Sequence, residues 1–354
     1  MSTTIDETKL HAFMGQVMND MGAIVSAPLM MIGEKFGLYK AMAGAGALTS
    51  QELADRTGVA ERSAREWLRN QAAGGYVTYD PGTDRYELPP EQAMALADED
   101  SPLYVLSVFD TIASIYADEE KIFEAFRSGD GMGWHEHDPR LFRGTERFFR
   151  PGYRANLVSS WIPALDGVNA KLERGAKVAD IGCGHGASTI IMAEAFPRSE
   201  FHGFDYHDKS IERAREAARE AGAADRISFD VASAKDFPGA DYDLICVFDC
   251  LHDMGDPVGA AEHIRQALAE DGTWMIVEPY ANDRVEDNLN PLGRLFYGAS
   301  TVVCTPASLA QEVGLALGAQ AGEAQLSEVI KAGGFTRVRR ATETPFNLVL
   351  EARP

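Results

Sequence analysis

The residues most suited to chemistry gather around one glycine-rich run. Val178-Ala179-Asp180-Ile181 leads into Gly182-Cys183-Gly184-His185-Gly186-Ala187-Ser188. The apolar stretch reads as a strand, the glycines as a tight turn, and Ala187 as the start of a helix. Glycines let the backbone bend sharply and approach a ligand closely. The helix start presents unpaired N–H groups to an electron-rich ligand. Asp205, 23 residues beyond Gly182, ends the next strand. An acidic group there accepts hydrogen bonds from both hydroxyls of a ribose. Gly182-x-Gly184-x-x-Ala187 also fits the dinucleotide fingerprint, so an NAD-dependent oxidoreductase is a rival reading. Two features separate the readings. Asp180 stands two residues before the first glycine, where a carboxylate repels pyrophosphate and suits a ligand bearing an ammonium or net positive charge. Residues 336–351 read as a pair of strands, not as a second mononucleotide-binding half.

The elements that hold this loop form an α/β pattern. Short apolar runs near 177–181, 200–204, 227–231, 243–248 and 273–277 alternate with amphipathic helices, the pattern of a parallel sheet with covering helices. Two further strands, 336–341 and 346–351, close the domain. Upstream, residues 8–43 carry apolar residues at helical spacing, including Phe13, Val17, Met21 and Ile24. Pro28 suits the first turn of a second helix there. The first helix is apolar on much of its surface and calls for a partner, such as another subunit. Residues 49–88 read as a winged helix-turn-helix. Thr49 and Glu52 make a capping box, Gly58 ends that helix, a second runs from about Ala60 to Ala73, and strands at 76–79 and 85–88 form the wing. Residues 102–172 are helical and irregular, punctuated by Pro139, Pro151 and Pro163. The expected organisation is a winged-helix dimerisation domain over 1–100, a helical substrate-framing region over 101–172, and a cofactor-binding domain over 173–354. The last carries a lid insertion over 279–333, whose 310–323 stretch is either a close-packed helix or a flap.

Composition narrows the partners. The formal net charge is −21 over 354 residues, which repels phosphate backbones. The first hundred residues alone carry 8 Lys+Arg against 15 Asp+Glu, a local net of −7. A DNA-binding regulator using its winged helix is therefore disfavoured, and no nucleic acid is expected. Cys183, Cys246, Cys250 and Cys304 match no zinc spacing, so no metal is expected, and they read as reduced thiols of a cytoplasmic protein. The N-terminus lacks the basic and apolar regions of a signal peptide. No run of 18 apolar residues exists, so no membrane span is expected.

The motif D-x-G-x-G-x-G with an acidic second-strand end resembles the class I S-adenosylmethionine-dependent methyltransferases. Ala232-Ser233-Ala234-Lys235-Asp236-Phe237-Pro238, Asp243–Phe248 and Ala269-Glu270-Asp271-Gly272-Thr273 resemble the family's third strand, fourth strand and the turn before its fifth. The resemblance covers about 176–354 and implies a doubly wound, seven-stranded Rossmann-like domain. It implies S-adenosylmethionine as cofactor and S-adenosylhomocysteine as product. Gly182, Cys183 and Gly184 would line the amino-acid and ribose part, Asp205 would hold the ribose diol, and Tyr206 would lie over the adenine. Ser233 replaces the family's usual aspartate for the adenine amino group, with the Ala234 N–H also in reach. Phe248 would offer its carbonyl to the ammonium. Leu48–Val77 is similar to the dimerising region of small-molecule O-methyltransferases, and a homodimer through the N-terminal helices is implied. Trp161–Val168 and Leu251–Pro257 resemble an actinobacterial-type branch.

Methyl transfer from a sulfonium is an in-line displacement, and it needs a base only when the nucleophile arrives protonated. The expected acceptor is an O, N or C nucleophile of a small molecule. His252 follows the fourth strand and resembles the O-methyltransferase histidine that deprotonates phenols; helix capping or packing is its alternative role. Glu278 ends the fifth strand and either orients His252 or forms pocket wall. Asp253 reads as a local hydrogen-bond partner. Asp249 contacts the cofactor or satisfies backbone N–H groups, and Tyr153 caps the cofactor pocket or packs in the core. His135 and His137 form an H-x-H cluster that binds a metal, touches substrate or lies on a surface loop, the last being favoured because no other ligands cluster with it in sequence. Arg294 and Tyr297, in the insertion, are candidates for substrate contact. A cofactor-binding protein without methyl transfer is the remaining alternative.

Overall fold

The computed structural model describes residues 5–354, so the first four residues of the segment read above for a signal peptide lie outside the described residues. The chain divides into two compact units between Ile112 and Ala113.

The first unit comprises helices α1 (Glu7–Lys35), α2 (Leu38–Met42), α3 (Ser50–Thr57) and α4 (Glu61–Ala73), the strands β1 (Thr78–Asp80) and β2 (Arg85–Glu87), and α5 (Pro90–Leu96). Thr49 and Glu52 form the reciprocal capping box, and Gly58 closes α3 in the left-handed conformation. The wing strands pair antiparallel, Tyr79 opposite Tyr86. Pro28 does not open a second helix; it lies inside α1, which is continuous. Contacts on both sides of it hold the helix together. The Asn70 amide donates to Ser26 Oγ at 3.0 Å, and the Trp67 indole N–H donates to the Leu29 carbonyl at 2.8 Å. Gly33 permits this, because a Cβ there would meet the Tyr39 ring at 2.3 Å. The N-terminal half of α1 exposes Phe13, Met14, Met18, Met21, Ile24 and Val25.

The second unit begins within α6 (Val108–Ala117), followed by α7 (Glu119–Ser128), a 3-10 turn at Trp134–Glu136, α8 (Arg140–Asn156) and α9 (Val168–Arg174). Then come β3 (Lys177–Ile181), α10 (Ala187–Ala195), β4 (Glu200–Asp205), α11 (Asp208–Glu220), β5 (Ile227–Val231), β6 (Tyr242–Phe248), α12 (Pro257–Ala267) and β7 (Leu268–Pro279). Helices α13 (Pro291–Ala299), α14 (Thr305–Leu309) and α15 (Gly322–Ala332) precede the strands β8 (Arg337–Glu343) and β9 (Asn347–Arg353). The seven-stranded sheet runs β5-β4-β3-β6-β7-β9-β8. The first five strands are parallel, and β9 lies antiparallel between β7 and β8. That hairpin stands where a dinucleotide fold carries another parallel strand.

Apolar clusters cover both faces of the sheet. Tyr153, Leu157, Trp161 and Leu172 pack with Val178, Phe201 and Met275 on one face. Residues 113–172 therefore belong with the sheet, and the boundary expected at 172 separates nothing. Pro151 lies buried inside α8 and does not interrupt it. On the other face Ala261, Ile264, Leu326 and Ile330 pack with Trp274 and Ile276. Helix α15 is thus a covering helix of the sheet, and the segment added after β7 ends before Gly322. Of the 310–323 stretch, residues 310–321 are not helical and the last two begin α15. Gln311 donates to the carbonyls of Asp253 and Ala307, Ser308 Oγ donates to the Met254 carbonyl, and the Leu315 N–H donates to the Gly255 carbonyl.

Candidate active site

The loops that leave the C-terminal ends of β3, β4, β5 and β6 wall one side of a cavity of about 430 Å³. Strand order reverses beside β3, the place where open α/β sheets bind ligands. Gly182 and Gly184 both take positive φ, 72° and 53°. A Cβ on Gly182 would meet Cys250 Sγ at 2.7 Å, whereas one on Gly184 would meet nothing within 4 Å. The first glycine is needed for packing, and the second leaves open space on the wall. Asp205 fastens the loop: its Oδ2 accepts the Gly184 N–H and its Oδ1 the His207 N–H, each at 2.9 Å. Each oxygen retains acceptor capacity, so the cradle fits a ribose diol. Cys183, Tyr206, Ser233, Ala234 and Phe248 also line the cavity. Ser233 Oγ donates to Asp236 Oδ1 at 2.6 Å, which commits its proton to its own turn.

Helix α8 supplies the facing wall. Phe142, Thr145, Glu146, Phe149 and Tyr153 line the cavity at the spacing of one helical face. Only Tyr153 was expected there. Its hydroxyl donates to Asp249 Oδ2 at 2.7 Å, and the Asn347 amide donates to Asp249 Oδ1 at 2.9 Å. Asp249 itself is held at a φ of 51°, a left-handed conformation that non-glycine residues adopt at a cost. Burial, reinforced by Glu278, pushes its carboxyl up to about 8.

A second chain of groups reaches the cavity from inside the protein. Glu278 Oε2 lies 2.5 Å from His252 Nδ1, and Glu278 Oε1 accepts the Leu251 N–H at 2.8 Å. His252 Nε2 faces Asp253 Oδ1 at 3.1 Å. That separation suits an ion pair, and since Asp253 Oδ1 makes no hydrogen bond the attraction is electrostatic. The Trp134 indole N–H donates to Asp253 Oδ2 at 3.0 Å. Burial opposes a charge on the His252 ring, but Glu278 and Asp253 outweigh it and hold the imidazole well above its ordinary value. Asp253 and Trp134 line the cavity; His252 and Glu278 do not. The expected order is thereby inverted. The 3-10 turn at Leu251–Asp253 turns the aspartate outward and the histidine inward.

Other candidates lie elsewhere. His135 is exposed, and His137 is buried with Nδ1 3.3 Å from Asp118, so neither lines the cavity. A 3-10 turn, not an extended segment, carries His135, which is why the pair does not present both rings together. Arg294 and Tyr297 on α13 also lie off the wall, and Gln311 and Glu312 represent the added segment instead.

Asp180 does not touch the cavity. It sits behind the wall, 1% exposed, where its Oδ2 accepts the hydroxyls of Ser188 and Thr189, each at 2.6 Å. Burial pushes its carboxyl up to about 6 against the help of those hydroxyls, and Asp205 adds to the rise. An unfolded chain ionises at the ordinary carboxylate value, so the fold opposes this charge. The penalty is absent below about pH 4, grows through the interval, and is complete above about pH 6, with an upper bound of about 3 kcal/mol. Asp180→Asn is therefore expected to gain melting temperature relative to the parent as pH rises across that window in the cofactor-free protein. A difference independent of pH, measured by calorimetry, would remove the buried charge from the explanation.

Comparison with known proteins agrees with this geometry. Residues 172–322 match a model described as a methyltransferase domain, and residues 25–98 match an Rv2258c-like winged HTH domain. The chain is 32% identical over 140 residues, 39% of its length, to 27-O-demethylrifamycin SV methyltransferase of Amycolatopsis mediterranei, and spans 43% of that relative. Its fold is similar to that of an O-methyltransferase family protein from Burkholderia thailandensis, with a TM-score of 0.68, 18% identity and 99% of each chain covered. It is also similar to human N-acetylserotonin methyltransferase solved with S-adenosylmethionine, with a TM-score of 0.69, 16% identity, and coverage of 100% of this chain and 99% of that one. With a hairpin-closed seven-stranded sheet and a glycine loop fastened by Asp205, the chain carries a methyltransferase domain on the fold of class I S-adenosylmethionine-dependent methyltransferases, preceded by an Rv2258c-like winged helix-turn-helix domain.

Proposed function

We propose that this protein transfers a methyl group from S-adenosylmethionine to a hydroxyl of a small, largely apolar acceptor. One observation carries the reading: the buried Glu278–His252–Asp253 chain emerges into the cavity that the Gly182–Gly184 loop and Asp205 also line. When bound, the cofactor supplies a sulfonium methyl group for in-line displacement. Gly182, Cys183 and Gly184 hold its amino-acid and ribose portions, and Asp205 holds the diol. Tyr206, Ser233 and Ala234 frame the adenine, while Phe248, Asp249 and Tyr153 border the reacting end. Asp253 accepts the acceptor's hydroxyl proton, and His252 and Glu278 position that carboxylate from behind. A preformed proton path favours an oxygen nucleophile, since a neutral amine attacks without a base. Trp134, Phe142 and Phe149 exclude water and suit an apolar acceptor. The rifamycin relative, named for an O-methyl transfer, supports the same nucleophile.

The test is a mass-spectrometric search for metabolites that gain one labelled methyl from the cofactor. Calorimetry should find tight S-adenosylhomocysteine binding; binding of NAD in its place would sink the proposal. The winged helix is read as a dimerisation element. Its Arg62, Arg65 and Arg69 pair with Glu61 and Glu66 on the same helix, which supports the reading that excludes DNA. The apolar face of α1 fits a second copy of the chain: Phe13 is 60% and Ile24 58% exposed. Phe13→Glu with Ile24→Glu is expected to halve the mass found by sedimentation, and a monomeric parent would refute the dimer. No helix among the described residues is long and apolar enough to cross a membrane. Four free cysteines support a cytoplasmic site of action.

A further inference from the structure

We infer that His252 Nε2, Asp253 Oδ1 and Cys304 Sγ form a site for one zinc-type divalent cation behind the stretch of cavity wall that Asp253 makes. The three donor atoms lie within 4.8 Å of one another, and all three residues are buried. They come from segments far apart in the chain. His252 and Asp253 sit in the 3-10 turn after β6, and Cys304 ends a π-helical turn, Ser300–Cys304, between α13 and α14. Single π-turns inside helices recur at functional sites.

An independent observation points to a ligand. Asp253 is 7% exposed, its Oδ1 is directed at this cluster, and that oxygen has no hydrogen-bond partner. Its polar neighbour His252 Nε2, at 3.1 Å, gives it an electrostatic contact but no hydrogen bond, and a buried carboxylate oxygen short of hydrogen bonds is costly. Its other oxygen is already satisfied by Trp134. The surroundings are those of a metal site. Nitrogen Nδ1 of His252 is fixed by Glu278, which aims Nε2 at the cluster, and Trp134 orients Asp253 in the same way. Metal-bound histidines and carboxylates are held by outer hydrogen bonds of this kind.

The donor set selects the ion. A thiolate with an imidazole and one carboxylate suits zinc, whereas magnesium and calcium prefer oxygen ligands alone. Binding displaces one proton from the His252 ring and one from the Cys304 thiol. Three protein ligands leave a fourth position open. Asp253 is the ligand that also lines the cavity, and a cation whose open position faced that side would acidify the acceptor's hydroxyl. This deepens the proposed function at the same chain, with Asp253 then acting as ligand. Sequence patterns miss the site because its ligands share no local spacing.

The test uses tag-free full-length protein, stripped with chelator and titrated with zinc. One equivalent per chain is expected, and Cys304→Ser and Asp253→Asn are each expected to weaken binding about tenfold or more. Cobalt(II) in place of zinc should give a thiolate-to-metal charge-transfer band in the parent that is absent in Cys304→Ser. Circular dichroism identifies any variant that fails to fold, and the parent's cobalt spectrum then decides alone. No zinc uptake by the parent, or a Cys304→Ser protein that keeps the parent's affinity, overturns the site. Metal content is the readout, so either result leaves the labelled-methyl test of the proposed function independent.

Discussion

Asp253→Asn is expected to lower kcat on a hydroxyl-bearing acceptor about a hundredfold while leaving S-adenosylhomocysteine affinity within about twofold of the parent. Asparagine has nearly the same volume, and its carbonyl oxygen can still accept the Trp134 indole N–H that fixes Asp253 Oδ2. What the substitution removes is the negative charge at the cavity wall. That charge is needed whether Asp253 takes the acceptor's proton directly or holds a cation that acidifies the hydroxyl. The corresponding change at His252 is a blunter probe. His252 lies between Glu278 and Asp253, and removing one member of a buried ionic set costs about 3–5 kcal/mol of stability. Steady-state kinetics with a fixed, saturating cofactor concentration provides the check. A rise in KM with kcat unchanged would mean that Asp253 only binds the acceptor, and an unchanged rate in a folded variant would remove it from the proton path.

Much of this arrangement is legible before any coordinates are known. The parallel strands are short apolar runs, buried on both sides, and β6 reads almost continuously as Tyr242–Phe248. Period and composition identify such strands directly. The terminal hairpin is equally visible, and it distinguishes this sheet from a dinucleotide fold. Prolines mislead more. Pro28 and Pro151 look like breaks, yet both lie inside helices because tertiary contacts outweigh the lost N–H bond. Helix α15 was absorbed into an insertion since only its packing on Trp274 marks it as part of the sheet's cover.

The site divides along the same line. The loop Gly182–Gly186 is local, so its turns follow from residue type. The face of α8 was also within reach: residues 142, 145, 146, 149 and 153 repeat at helical spacing, but the prolines nearby hid the helix. The motif makes Asp180 look like a ligand group because its position there is fixed, while its orientation toward Ser188 and Thr189 depends on how α10 packs. The exchange of His252 and Asp253 has a similar origin. Adjacent residues in one turn point in different directions, and only the coordinates decide which faces the cavity. Cys304 depends on chain segments meeting across the fold, which no local pattern encodes.

Asp205→Ala is expected to weaken S-adenosylhomocysteine binding about tenfold or more, a loss of about 1.4 kcal/mol or greater. Both Asp205 oxygens accept a backbone N–H, from Gly184 on one side and His207 on the other. The carboxylate ties the glycine loop to the start of α11, and its remaining lone pairs are those proposed to take the ribose hydroxyls. Burial pushes its carboxyl up despite those two N–H donors. Additional hydrogen bonds to the ionised form from a ribose would draw it down again. Asp205→Asn separates the tasks. It retains one acceptor oxygen for the loop but replaces the other with an N–H donor that opposes a diol. If Asp205 binds the ribose, asparagine should lose most of the affinity that alanine loses, while melting temperature falls less than with alanine. If the residue only fastens the loop, affinity should instead follow melting temperature through both variants, and titration calorimetry beside thermal unfolding distinguishes the two. Full affinity in the alanine variant would leave the ribose diol without its proposed partner.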